Sequence, residues 1–237
     1  MKKRIWELDI LRGGNLFVMI VFHLIYDISV LFPLISWRPP VWYQMVGLFS
    51  GALFVALSGA CATLGSRPVR RGLTVLGCGM LCTAVTAVLY FTGFCGAEII
   101  IYFGVLHCLG CCMMLWPLFR RLPGWGLILS GVALVCLGRY LETLRWDQIW
   151  LIPFGVSTPD FASSDYFPLV RNLGVFLTGA GIGRYLYPQA VSLWPNVRQE
   201  NPLVRFFSWW GRHSLPVYLI HQPALAALAA ALYFLIL

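Results

Sequence analysis

The chain has 237 residues, of which 59% are hydrophobic and only 11% charged, with a formal net charge of +8. That composition excludes a soluble globular domain, because several apolar runs reach the roughly 20 residues that cross a hydrocarbon core. It also excludes nucleic acid as the object of the positive charge, since so little soluble mass remains to carry such a surface.

Apolar runs predict spans at about Asn15–Leu34, Trp42–Leu64, Leu73–Phe91, Ile99–Phe119, Leu122–Leu137, Leu169–Tyr187 and Leu215–Leu237. The expected fold is all-α: a polytopic transmembrane helical bundle of about seven spans, forming one domain over residues 1–237 in a lipid bilayer. Ahead of the first span, Lys2, Lys3 and Arg4 imitate the start of a signal peptide. Glu7, Asp9 and Arg12 follow before the apolar run, and no small-residue cleavage site closes it, so the run is expected to stay as a helix.

That first span carries His23, with Arg12 eleven residues before it and Asp27 four residues after. At about 100° per residue, eleven steps return to within about 20° and four to about 40°, so all three share one helical stripe. Ionisable groups in hydrocarbon cost on the order of a few kcal/mol each, which marks the stripe as a candidate functional site. An imidazole with a carboxylate one turn away suits a general base, and it suits a proton-coupled transporter equally. A purely structural pairing in a membrane scaffold is the third role.

Between the second and third spans, Arg67, Arg70 and Arg71 form a compact basic cluster. Guanidinium forks suit phosphate, although plain anchoring at the membrane surface explains such a cluster as well. In the fourth span His107 stands beside Cys108, Cys111 and Cys112. The cysteines are expected to be small packing residues, with no metal and no disulfide scaffold, because all eight lie in or beside apolar runs.

The short apolar run Ile149–Val156 is broken by Pro153 and Gly155 and is expected to be interfacial or re-entrant. It lies in a polar loop, about Arg139 to Pro168, that holds Asp165 and Tyr166 and would meet an external substrate first. The loop Pro188–His213, with Pro195, Asn196, Asn201 and Pro202, is expected to be irregular. His221 lies two turns into the last span and, with His107, is a candidate for a shared polar cavity. Gly47/Gly51 and Gly179/Gly183 are small pairs at i,i+4 that permit close helix approach. With the N-terminus in the cytoplasm, thirteen basic residues fall inside (Lys2, Lys3, Arg4, Arg12, Arg67, Arg70, Arg71, Arg120, Arg121, Arg184, Arg198, Arg205, Arg212). Only Arg38, Arg139, Arg145 and Arg171 fall outside, a clear positive-inside bias.

Leu8-Asp-Ile-Leu-Arg-Gly-Gly14 followed by Val21-Phe-His-Leu-Ile-Tyr-Asp27 resembles the opening of the bacterial relatives of heparan-α-glucosaminide N-acetyltransferase. Leu57-Ser-Gly59, Phe103-Gly-Val-Leu-His107, Ser164-Asp-Tyr-Phe-Pro-Leu169, Gly183-Arg-Tyr-Leu-Tyr187, Gly211-Arg-His-Ser-Leu215 and Tyr218-Leu-Ile-His221 are similar to the same family. The resemblance implies acyl transfer, from cytoplasmic acetyl-CoA to an amine or hydroxyl of a sugar, cell-envelope glycan or small acceptor on the far side. It implies catalysis by His23 with Asp27, coenzyme binding by Arg12, Arg67, Arg70 and Arg71, and acceptor or cavity roles for His107, Asp165, Tyr166 and His221. A bacterial inner-membrane location and a homodimer are family expectations too. The family's lysosomal member has asparagine where this chain has His23 and takes a histidine from the loop beyond. Here the loop Pro33–Pro40 has none, so heparan specificity is not carried over.

Overall fold

The computed structural model describes residues 5–32, 34–195 and 201–236. Lys2, Lys3, Arg4, Pro33, Asn196 and Arg198, which entered the topology and loop expectations, lie outside the described residues. Every longer element is helical: α1 (Trp6–Tyr26) running into a π turn (Asp27–Leu31), α2 (Val41–Leu64), α3 (Pro68–Phe91), α4 (Val105–Phe119), α5 (Gly124–Leu141), α6 (Leu169–Leu186), α7 (Pro202–Arg212) and α8 (Ser214–Ile236). Short 3-10 helices lie at Ala97–Ile99 and Ile149–Phe154, the second within the run expected to be interfacial or re-entrant.

The all-α membrane bundle is as expected, and among the described residues five helices (α1, α2, α3, α5, α8) are long and apolar enough to cross a bilayer. The other two expected spans differ for physical reasons. The fourth was expected to begin at Ile99, but α4 begins at Val105 and has 15 residues, because residues 100–104 are extended. In α6, Arg171, Asn172 and Arg184 together with four glycines dilute the apolar character of its 18 residues. The fifth span is longer than expected, reaching Leu141.

The chain divides into two compact units, one of residues 1–54 with 189–237 and one of residues 55–188, and the boundary falls inside α2. In the first unit, α7 is an element that the expected irregular loop did not include. Asn201 caps it through its side-chain oxygen, which accepts from Leu203 N at 2.9 Å, and Pro202 occupies its first turn. α7 packs antiparallel to α1. Asp9 meets Gly211, Gly13 meets Phe207 and Gly211, and the Phe17 ring lies 6.0 Å from those of Phe207 and Trp210. A methyl group at Gly13 would sit 1.9 Å from the Phe207 carbonyl oxygen, so only glycine allows these backbones to touch.

In the second unit α5 packs on α6 and α3 on α4. Gly179 and Gly183 hold α6 against the second half of α2: a methyl at Gly179 would lie 2.1 Å from Ala56 O, and one at Gly183 2.8 Å from Ala60 Cα. The close approach expected of this pair is therefore made within the unit itself. Arg184, one of the basic residues expected to mark the inner face, donates to the carbonyls of Arg120 and Leu122 and lies 5.7 Å above the Trp116 ring. It closes the C-terminal end of α4, where unpaired carbonyls and the helix dipole favour a cation.

Candidate functional site

The stripe predicted on the first span is real, and it faces α8. Arg12 donates to Ser214 Oγ at 2.9 Å. The His23 ring stands 5.0 Å from that of His221 at 75°, and the Asp27 carboxylate accepts from Gln222 Nε2 at 3.0 and 3.3 Å. Residue numbers rise together in these three pairs, so α1 and α8 run in the same direction along a polar seam. Ser214 and Gln222 were not anticipated, because their importance depends on the register of two helices whose paired residues lie 202 and 195 positions apart.

His23 is oriented differently from the expectation. Its Nδ1 lies 2.8 Å from the Met19 carbonyl oxygen, and no hydrogen bond joins it to Asp27. A carbonyl only accepts, so Nδ1 carries the hydrogen and Nε2 of the neutral ring presents a lone pair. Asp27 is fully buried and opens the π turn, with Phe32 N donating to its carbonyl at 2.8 Å. Such single turns often accompany functional positions, since they rotate the side chains that follow them out of the α-helical register. On the other side of His23, Tyr43 stacks on Phe22 at 4.2 Å and donates its hydroxyl to Phe22 O at 2.5 Å. Below it, Asn15 and Ser50 bond reciprocally, Nδ2 to Ser50 O at 2.9 Å and Ser50 Oγ to Oδ1 at 3.0 Å.

Several buried atoms of this unit lack partners: Arg12 Nε, Ser208 Oγ, His221 Nε2 and Gln222 Oε1. An orphaned buried polar atom costs about 1–3 kcal/mol, so four of them in one unit mark a place where water or a ligand is wanted. Arg12 thus fastens α1 to α8 and keeps one N–H in reserve.

The remaining candidates lie in the unit of residues 55–188. Arg67 caps α3 in the left-handed conformation, with φ of 56°, ahead of Pro68. The guanidinium groups of Arg67, Arg70 and Arg71 are exposed and have no hydrogen-bond or ion-pair partner among the described residues. Three cations at a helix N-terminus oppose the dipole there, an arrangement that an anion would relieve. A coenzyme rich in phosphates fits this donor set.

His107 is not interior to a span; it occupies the first turn of α4 and has both nitrogens engaged. Gly104 N donates to Nδ1 at 3.2 Å, and Nε2 lies 3.2 Å from Thr83 Oγ, whose own hydrogen goes to Ile101 O at 2.6 Å. Asp165 Oδ2 accepts from Val105 N at 3.0 Å, which starts α4 from a residue 60 positions away. Tyr166 donates to Ile152 O at 2.8 Å, and burial, reinforced by Glu142, pushes its phenol up to about 12, so it remains a donor. These three residues hold the loop together: Ser163, Ser164 and Phe167 bond to the carbonyls of Ile100, Ile99 and Phe103 beside them. Among the described residues no group of three or more His, Cys, Asp or Glu is placed to hold a metal ion. The sulfurs of Cys108 and Cys112 lie 3.9 Å apart as packed thiols. An open cavity of about 560 Å³ in the same loop is lined by Arg145, Trp146, Asp147, Gln148, Trp150 and Pro159.

No curated protein and no solved structure matches the chain. The family described as heparan-alpha-glucosaminide N-acetyltransferase, catalytic, matches residues 4–223, which spans both units and every candidate above. With a lone-paired imidazole on its first helix and that match over nearly all its length, the chain belongs to the heparan-alpha-glucosaminide N-acetyltransferase catalytic family of membrane acetyltransferases.

Proposed function

We propose that the protein transfers an acetyl group from cytoplasmic acetyl-CoA to an amine or hydroxyl of an extracytoplasmic sugar or cell-envelope glycan. His23 carries the proposal: its Nδ1 is fixed on Met19 O, and its Nε2 lone pair is left for an acceptor's proton. His23 takes that proton as the acceptor attacks the thioester carbon and returns it to the departing thiolate, so the reaction closes without net proton change for a hydroxyl. Asp27, held by Gln222, supplies negative charge near the imidazolium as it forms. Acetyl-CoA supplies the activated acyl group. Its phosphates are assigned to Arg67, Arg70 and Arg71.

The positive-inside count supports a bacterial cytoplasmic membrane with the N-terminus inside. A homodimer is part of the proposal; Gly179 and Gly183 do not serve it, being packed on Ala56 and Ala60.

Thermal-shift titration with acetyl-CoA tests the donor. Stabilisation should grow with the logarithm of concentration and disappear in Arg67→Ala/Arg70→Ala. A flat response from the wild type, together with solute uptake into proteoliposomes without acyl-CoA, would replace the enzyme by a carrier.

A further inference from the structure

The seam between α1 and α8 contains two imidazoles in the same state. His221 Nδ1 lies 2.5 Å from Tyr218 O, as His23 Nδ1 lies 2.8 Å from Met19 O. Each ring is thus pinned through Nδ1 and presents an Nε2 lone pair. His221 is 8% exposed, and its Nε2 is buried without a partner. Next to it, Gln222 directs its amide N–H groups at Asp27, which turns its unpartnered Oε1 the other way. The open positions beside these two rings are therefore acceptors: two imidazole nitrogens and an amide oxygen. A ligand that satisfies them must bring several N–H bonds, as a primary ammonium does and a single hydroxyl does not.

We infer that His221 is a second proton acceptor for the reaction, and that His23 and His221 together strip an ammonium-bearing acceptor of two protons. The inference rests on the acyl-transfer proposal above. An acceptor R–NH₃⁺ must lose one proton to free its lone pair and a second as the N–C bond forms and the C–S bond breaks. The departing thiolate takes up one proton, so one net proton leaves for each acetyl group transferred. A single imidazole would have to discharge to water in mid-reaction; two imidazoles hold both protons at once. The titratable groups around the pair are Tyr26 and Asp27 after His23 on the same strand of helix, Tyr43 on α2 and Tyr218 on α8. Arg12, two turns below His221, is tied to Ser214. None of them offers a second neutral base.

The test is the acid limb of log kcat/KM against pH, with acetyl-CoA and glucosamine as probe substrates. Two bases that must both be unprotonated give a limiting slope of two in the wild type. His221→Gln should lose about 10²-fold in kcat/KM and show a slope of one. A slope of one in the wild type overturns the inference without recourse to any variant, and so does His221→Gln with wild-type rate or an unchanged slope. Wild-type turnover with slope one removes only the second base, and so does a wild type that is stabilised by acetyl-CoA yet does not acetylate glucosamine; a wild type that does neither removes the acyl-transfer proposal and this inference with it.

Discussion

His107 and the His23–His221 pair show what distinguishes a structural histidine from a chemical one. In the unit of residues 55–188, His107 accepts from Gly104 N and bonds Thr83 through its other nitrogen, and its neighbours form a closed hydrogen-bonded belt. In the unit built from the chain ends, His23 and His221 each use one nitrogen on a backbone carbonyl and leave the other idle. All three are histidines inside apolar helices, and the sequence motifs around them belong to the same family. The difference lies in how many ring nitrogens the fold consumes. A ring with both engaged can neither take nor give a proton without breaking a bond the fold needs.

The sharpest way to break this comparison is to remove each ring in turn. His23→Ala should reduce acetyl transfer by about 10²–10⁴-fold, the usual scale for losing a general base, with little change in the thermal midpoint. His107→Ala should do the opposite. It leaves Gly104 N without its acceptor and takes one of two partners from Thr83 Oγ, costing about 1–3 kcal/mol of stability, while the folded fraction keeps its turnover. Melting curves alongside activity per folded molecule decide it. If His107→Ala were stable and inactive, the division between the two regions would be wrong.

A second substitution tests the frame that holds the active seam. Gly13→Ala would place a methyl 1.9 Å from Phe207 O, which can be relieved only by parting α7 from α1. Overpacking of this kind costs about 1–3 kcal/mol, and more where backbone must move. Gly14→Ala, one residue on, meets nothing within 4 Å and should leave the midpoint unchanged or slightly raised, since alanine favours helix. Equal losses for the two variants would mean that the α1–α7 contact is not close.

Gln222→Leu sharpens the comparison at the seam itself. It leaves the Asp27 carboxylate, fully buried, without its donor, and should cost about 1–3 kcal/mol. Replacing both partners, as Asp27→Leu/Gln222→Leu, should recover much of that stability and still abolish activity if the carboxylate serves the reaction. Recovery of both stability and turnover would reduce the pair to a helix fastener.

Legibility followed the range of the interactions. The stripe of Arg12, His23 and Asp27 depends on one helix, and periodicity alone places it correctly, because α1 stays α-helical as far as Tyr26. What orients those residues could not be read. The partner of Asp27 is 195 positions away, and the π turn at Asp27–Leu31 has no sequence mark. The start of α4 was misplaced because Ile99–Leu106 is uniformly apolar, and the cap that ends the extended segment comes from Asp165. In contrast, α7 is legible in principle: Asn201-Pro202 punctuates a loop, but asparagine before proline also starts a helix. The same local ambiguity covers the arginine cluster, whose exposure and lack of partners are visible only in the folded chain.

The smallest expected effect concerns Tyr166. Tyr166 stood out as a polar aromatic in the outer loop, suited to touching an acceptor. In the folded protein its hydroxyl donates to Ile152 O, and its ring packs edge-on against Phe161 at 4.8 Å. Tyr166→Phe keeps the ring and loses one neutral hydrogen bond, so it should cost about 0.5–1.5 kcal/mol and leave KM for the acceptor unaltered. Because Asp165 beside it caps α4, Asp165→Asn should likewise act on stability alone, its amide oxygen still accepting from Val105 N. A rise in acceptor KM in either variant, with the midpoint constant, would return this loop to the substrate and move the boundary between the two regions.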